Sequence, residues 1–125
     1  MRRILTLLAV LVPGATLTPA AAVAAELWCM PQSICRADGS CHATTDEETS
    51  LRLADIDADA TTLRAHAETV AMTRSTADGA VAWSGTNAAG DAEAVIWTKA
   101  DRAFTYTQTQ KSGAVWKSVG TCEVQ

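Results

Sequence analysis

Three of the four cysteines lie near the N-terminus, at Cys29, Cys35 and Cys41, and His42 follows the third. Thiolates and imidazoles bind zinc, so this cluster is a candidate metal site. Structural zinc sites usually bring their ligands in pairs two to four residues apart, and the gaps here are five residues long. The chain also lacks the Cys-x-x-Cys pair of redox-active thiol proteins. We therefore predict disulfides, with no bound metal and no cofactor.

Four cysteines allow three disulfide pairings. Pairing Cys35 with Cys41 closes a short loop that contains the turn-forming sequence Ala-Asp-Gly-Ser. Cys29 and Cys122 then tie the start of the domain to its end. On a chain-entropy estimate the long loop contributes about 4.6 kcal/mol to stability and the short loop about 2.4 kcal/mol. We prefer this pairing.

Alternating carboxylates at Asp55, Asp57 and Asp59 are a second candidate for metal chemistry, because calcium loops begin in this way. An EF-hand loop also needs glycine at its sixth position and glutamate at its twelfth. This chain has Ala60 and His66 there. We interpret the three aspartates as the solvent side of a strand that leads into a loop.

The two histidines, His42 and His66, stand outside any recognisable catalytic motif. A Ser-His-Asp set spread along the chain stays open, because its members need not be adjacent in sequence. No serine, however, has the glycine pattern of a nucleophile elbow. We therefore predict a protein that is not an enzyme and name no catalytic residue. His42 and the carboxylates near it are the alternative.

Residues 1–25 have the three parts of a secretory signal peptide. Arg2 and Arg3 form the charged start, an apolar run extends to residue 12, and an alanine-rich segment ends at Ala25. Two prolines and a glycine interrupt the apolar part, which falls short of the roughly 20 residues needed to span a bilayer. We predict cleavage after Ala25, with Ala24 as the alternative, and a periplasmic or secreted protein without membrane insertion.

Residues 26–125 are expected to form a single domain. Loss of Arg2 and Arg3 with the signal peptide lowers the formal net charge from −4 to −6. The remaining cations are scattered singly, so the chain has no basic patch for nucleic acid or anionic lipid. A basic protein is the expected partner, and the sequence makes no prediction of oligomeric state.

From Leu51 onward, short alternating runs are separated by turn residues, which is typical of an antiparallel β meander. A first strand precedes them, and Pro31 is expected to end it. Residues 42–50 are predicted to form a polar loop, and Gly120 to mark a bulge or bend. The predicted strands are 26–30, 51–56, 61–65, 69–74, 80–84, 92–98, 103–110 and 114–124.

The expected fold class is therefore all-β, a small antiparallel meander of seven or eight strands stapled by two disulfides. A helix within residues 54–72 is the alternative there, because the segment is rich in alanine. The strands either close into a barrel or pack as a sandwich. We favour the barrel, because closure removes the exposed edges of the sheet.

Four tryptophans lie on four of the predicted strands, and we expect at least three of them in the core of so small a domain. Those that face outward, together with Tyr106, are candidates for binding a protein, a sugar or a small apolar ligand. The tryptophans are Trp28, Trp83, Trp97 and Trp116, and the candidate binding residues are Trp83, Trp97, Tyr106 and Trp116.

The chain has an export signal and a pair of cysteines near the two ends of its domain. Together with the segment 95–99, Val-Ile-Trp-Thr-Lys, these features resemble the small β-barrel inhibitors of animal-type lysozyme found in bacterial periplasms. That family has a Ser-Gly-x-x-Tyr motif before this segment, whereas Ser84 and Gly85 are followed here by Thr-Asn-Ala. Ala100 stands where the family has glycine after the lysine. The resemblance covers at most the C-terminal half. It identifies no inhibitory residue in this chain.

The expected function is that of an exported, non-catalytic binding or inhibitor module for a protein partner. The alternative is a small-ligand carrier that uses the interior or mouth of the barrel. A metal-binding protein or enzyme built on the Cys/His cluster comes third.

Overall fold

The computed structural model describes residues 14, 25–44 and 49–125. Most of the predicted signal peptide and the acidic residues 46–48 lie outside the described residues. The described chain forms nine antiparallel strands, which confirms the all-β prediction. They are β1 (Leu27–Cys35), β2 (Cys41–Ala43), β3 (Leu51–Ala54), β4 (Ala60–Ala65), β5 (Glu68–Ala77), β6 (Ala80–Thr86), β7 (Ala92–Thr98), β8 (Ala103–Thr109) and β9 (Val115–Val124).

Eight of these strands form a closed barrel. Strands β3 to β9 follow one another as a meander, and β1 pairs with β3 on one side and with β9 on the other. Strand β2 is the ninth and pairs only with the end of β1. The prediction of a barrel is confirmed, and residues 54–72 contribute β4 and part of β5 rather than a helix.

Pro31 does not end the first strand, which continues to Cys35. The Cα atoms of Cys29 and Cys122 are 4.0 Å apart, the spacing of a pair that exchanges no backbone hydrogen bonds. Because the two kinds of pair alternate along the strand, Pro31 also occupies a position that exchanges no backbone hydrogen bonds with β9. The N–H that proline lacks would point away from β9. Pro31 loses no ladder bond there, since pairing with β3 stops at Cys29.

The bulge predicted at Gly120 lies in the facing strand. The register between β1 and β9 shifts between Pro31 and Ser33, directly across from Gly120. A Cβ atom on Gly120 would lie 2.1 Å from the Met30 carbonyl oxygen. Glycine is thus required where the bulged strand approaches most closely.

Side chains that alternate along each strand fill the barrel. Apolar residues that alternate along β5 to β8 are buried: Val70, Met72, Trp83, Val95, Trp97, Phe104 and Tyr106. The other strands add Leu27, Cys29, Leu51, Leu53, Leu63, Ala65 and Cys122, and Ile56 follows β3. The largest side chains among these are Trp83 and Trp97.

The prediction that at least three tryptophans are buried is wrong. Trp83 and Trp97 are 1% and 5% exposed, whereas Trp28 and Trp116 are 38% and 37% exposed. Trp28 stands between two inward-facing residues of β1, so alternation directs it outward. Trp116 lies at the start of β9, where the first three side chains are all exposed.

Two hairpins have two-residue turns in which both residues adopt positive φ, as in a type I′ turn. Asp78 and Gly79 connect β5 to β6, with φ values of 49° and 78°. His66 and Ala67 connect β4 to β5, with φ values of 49° and 64°. The first turn has the preferred Asp-Gly sequence, and the second does not.

Candidate functional site: the acidic end of the barrel

Antiparallel order brings the start of β1, the end of β9 and three turns to the same end of the barrel. Seven carboxylates lie on these segments, and all except the half-buried Glu26 are exposed. Within the described residues the same segments carry two cations, Lys99 and Arg102. A third cation, Arg74 on β5, lies beside them, and its N–H donates to the Asp59 carbonyl at 2.8 Å. We call this region the acidic end; its carboxylates are Glu26, Asp55, Asp57, Asp59, Asp78, Asp101 and Glu123.

The loop between β3 and β4 is held by its backbone and by one buried side chain. Ile56 is buried in the core, and its N–H donates to the Ala25 carbonyl at 3.1 Å. The Ala58 N–H donates to the Asp55 carbonyl at 2.9 Å, which closes a turn. The three aspartates of the loop therefore project from an anchored backbone into solvent. In the described ranges, no group of three metal-ligating side chains is positioned to hold an ion.

The turn between β7 and β8 forms one wall of a groove at the acidic end. Asp101 accepts a hydrogen bond from the Ala103 N–H at 3.0 Å, and the Cys122 N–H donates to the Arg102 carbonyl at 2.8 Å. Arg102 forms an exposed ion pair of 3.6 Å with Glu123. The groove encloses about 350 Å³ and is lined by Trp97, Lys99, Arg102, Cys122, Glu123 and Val124. It offers an apolar floor and a charged rim.

The opposite end of the barrel has no such imbalance. Its turns, with Glu68 and Lys117 beside them, carry three surface carboxylates and three cations among the described residues, and Arg52 and Arg64 near the ends of β3 and β4 add two more cations. Hydrogen bonds from the Ser40 hydroxyl and N–H lower the pKa of Asp38 below its ordinary range. The six residues are Asp38, Glu68, Asp91, Arg36, Lys111 and Lys117. Most of the negative charge on the described surface is therefore concentrated at the acidic end.

A polar pair lies inside the barrel toward the opposite end. The Tyr106 hydroxyl donates a hydrogen bond to Oε1 of Glu93, which is buried on β7. Burial raises the pKa of Tyr106 far above its ordinary value, and the hydrogen bond and charge of Glu93 raise it further. Oε2 of Glu93 has no partner among the described residues. This pair stabilises the interior only as long as both members are present.

The candidate binding residues do not form one site. Trp83 and Tyr106 both face Val95 across neighbouring strands, inside the barrel. Trp97 lies closer to the acidic end, and its buried Nε1 has no partner in the described chain. Trp116 is exposed near the opposite end. Trp116 is therefore the candidate with a ring exposed on the surface, Trp97 is reached through the groove, and the binding roles remain predictions.

Two features escaped the sequence analysis. Glu93 is inward-facing, and its position two residues before Val95 and four before Trp97 was the available signal. The guanidinium of Arg52 stacks on the ring of Trp28, with its Cζ 3.8 Å from the ring centroid. No sequence signal indicates this contact, because it depends on the register between β1 and β3.

The disulfides Cys29–Cys122 and Cys35–Cys41 confirm the preferred pairing. All four thiols are consumed, so the alternative zinc site has no thiolate to offer. Two disulfides indicate an oxidising, non-cytoplasmic environment. The described ranges contain no helix that is long and apolar enough to cross a membrane.

No family model, curated protein or solved structure matches this chain. The charge and shape of the barrel are therefore the basis on which a function is assigned.

Proposed function

We propose that this protein is an exported, non-catalytic binding module of the inhibitor type, which acts in the periplasm or outside the cell. Its partner is a basic protein, and the contact surface is the acidic end. The observation that carries the proposal is the collection of seven carboxylates at one end of the barrel, where the cations of the described chain are Lys99, Arg102 and the neighbouring Arg74.

Electrostatics support a protein partner at this end. A cluster of one charge sign attracts a complementary surface and raises the association rate. The loops that carry the charge are short and anchored, for example through the Ile56 N–H. Little conformational entropy is then lost on binding. We expect association to slow steeply as salt is added, because at 0.1 M salt the interactions between exposed charges more than about 10 Å apart are largely screened.

The groove beside Glu123 suits a lysine or arginine side chain of the partner. Its apolar stem would pack on Trp97 and Val124, and its cationic head would reach the Glu123 carboxylate. Glu123 is already paired with Arg102, but that ion pair is exposed and long. Exposed pairs of this kind contribute at most about 1 kcal/mol and are readily exchanged.

The test uses the disulfide-intact protein, immobilised and exposed to periplasmic and extracellular fluid at low salt. We expect capture of a basic protein, and we expect the variant D57K/D59K to lose it. The matched control D38K/E68K makes the same charge change at the opposite end and should retain the partner. Failure to capture any basic protein, or equal capture by D57K/D59K, would refute the proposal.

A small-ligand carrier is the second candidate, and the groove of about 350 Å³ favours it because this volume falls in the range of ligand sites. Trp97 lines the groove and reports on its occupancy. Titration with a library of apolar compounds should then quench tryptophan fluorescence in the wild type and less in Trp97→Phe. Absence of saturable quenching by any compound would remove this candidate.

A further inference from the structure

Trp28, Arg52, Arg64 and Thr69 form one outward-facing row across four neighbouring strands. Trp28 is registered with Arg52 on β1 and β3, Arg52 with Arg64 on β3 and β4, and Arg64 with Thr69 on β4 and β5. The next outward row contains only the small side chains of Ala54, Thr62 and Ala71. A shallow groove therefore runs beside the arginines, on the side wall of the barrel. We call it the arginine groove.

The two arginines are an unfavourable pair in isolation. Like charges placed directly opposite on neighbouring strands destabilise a sheet. In the described chain, neither guanidinium is within ion-pair distance of a carboxylate. The ion pair found there joins Arg102 to Glu123. The pair is also unexpected in so acidic a protein. Stacking on Trp28 keeps the Arg52 guanidinium ordered, with its plane of donors available at the edge.

Space for a ligand exists on both sides of the arginine pair. The arginine groove encloses about 370 Å³ and is lined by Glu26, Arg52, Ala54, Thr62, Arg64 and Thr69. A second groove of about 210 Å³ is lined by Ser50, Arg52, Arg64, Ala65, His66 and Ala67. Both share the two arginines, which thus form the common wall of two open spaces.

We propose that the arginine groove binds an oxyanion, the carboxylate or phosphate group of a small organic ligand. Guanidinium groups bind both groups through paired hydrogen bonds, and two guanidinium groups can hold one anion between them. The hydroxyls of Thr62 and Thr69 supply further donors along the groove. Glu26 at the rim repels an anion from that side and so directs the charged group toward the arginines.

This site is distinct from the surface assigned to the basic partner, with which it shares only Glu26. Its ligand has the opposite charge. Failure of the protein-binding proposal would therefore leave the arginine groove unaffected, and the reverse also holds.

The test titrates the wild-type protein with sodium phosphate and with sodium succinate, each against sodium chloride at equal ionic strength. Binding is followed by calorimetry and by NMR of the arginine Nε–H groups. We expect saturable binding of at least one oxyanion, with the better of the two identifying the phosphate or carboxylate source. Equal responses to the oxyanions and to chloride would overturn the proposal.

Variants separate a binding role from a structural one. Arg64→Gln and Arg52→Gln should weaken oxyanion binding about tenfold to a hundredfold, because each removes charge-assisted hydrogen bonds. Arg36→Gln, an exposed arginine at the opposite end, should bind as the wild type does. Without oxyanion, Arg64→Gln should melt no lower than the wild type, since it relieves repulsion from Arg52. Unchanged binding in Arg64→Gln would refute the site.

Three acidic residues that precede Arg52 in sequence, Asp46, Glu47 and Glu48, lie outside the described residues. The variant D46N/E47Q/E48Q tests whether they supply the anion instead. Binding equal to that of the wild type supports an external ligand. Binding that appears only in this variant would overturn the proposal in favour of internal carboxylates.

Discussion

Both ends of the barrel consist mainly of hairpin turns, but the two ends differ in charge, in crosslinking and in turn chemistry. The acidic end lies close to the buried Cys29–Cys122 disulfide and contains a favourable Asp-Gly turn. The opposite end holds the exposed Cys35–Cys41 disulfide, a strained His-Ala turn and an internal Tyr-Glu pair. The acidic end thus carries its like charges on well-supported backbone, which is what a binding surface requires.

The largest expected effect separates the two disulfides. The variant C29A/C122A should lose about 4.6 kcal/mol of unfolding free energy, because a loop spanning 93 residues is released at the seam between β1 and β9. The variant C35A/C41A should lose about 2.4 kcal/mol. Urea unfolding followed by tryptophan fluorescence measures both. Equal losses would contradict the view that closure of the barrel depends on the seam.

The internal pair gives the next effect. Tyr106→Phe should destabilise the protein by about 2 kcal/mol, since it leaves the buried Glu93 carboxylate without its hydrogen-bond donor. Glu93→Gln retains an acceptor for the Tyr106 hydroxyl and should cost less. A loss in Glu93→Gln that matches the loss in Tyr106→Phe would show that the hydrogen bond is not the main contribution.

The same tyrosine predicts how stability depends on pH. In the unfolded chain Tyr106 ionises near 10.0, whereas burial raises its pKa in the folded protein. The unfolded state therefore loses this proton first, and stability should decrease as the pH rises above about 10. Unfolding curves between pH 8 and pH 11 would measure the slope, and Tyr106→Phe should flatten it. An unchanged slope in the variant would assign the pH dependence to other groups.

Opposite signs are expected for the two type I′ turns. Gly79→Ala at the acidic end should destabilise by about 1 kcal/mol, because alanine disfavours positive φ and no neighbouring atom lies within 4 Å to add a clash. Ala67→Gly at the opposite end should stabilise by about 1 kcal/mol for the same reason. Thermal unfolding of the two single variants measures the difference. Destabilisation by Ala67→Gly would show that the His66–Ala67 turn is not strained.

The smallest expected effect concerns charge alone. Asp57→Asn and Asp59→Asn together should raise the unfolding free energy by about 0.5 kcal/mol at low salt, because they relieve repulsion among the carboxylates. The gain should vanish at 1 M salt, where the Debye length is about 3 Å. The control Glu68→Gln, at the opposite end, should show little change in either buffer.

Much of the fold could be predicted because it depends on local patterns. The alternation of Val95 and Trp97 with Ala94 and Ile96 places these residues correctly on β7. The Asp78-Gly79 turn was also recognisable. The His66-Ala67 turn is not recognisable in the sequence, because it has no preferred type I′ residues and its conformation follows from the strands on either side.

The candidate site was less predictable than the fold. The composition indicated a basic partner, but the carboxylates of the acidic end are spread from Glu26 to Glu123 in sequence. Which turns share an end depends on the number and order of the strands. The exposure of Trp28 and Trp116 was not predicted for a related reason. Their size favours burial, but alternation on β1 directs Trp28 outward, and Trp116 lies at the exposed start of β9.

The sequence by itself determined the strands from β4 onward, the inward face of most of them and the preferred disulfide pairing, because alternation, turn composition and loop length act over short distances. Only the tertiary structure decided that β1 closes the barrel between β3 and β9, with a bulge opposite Gly120. That closure sets the register that stacks Arg52 on Trp28 and faces it with Arg64. Contacts of this kind depend on pairing between strands distant in sequence, which no local pattern specifies.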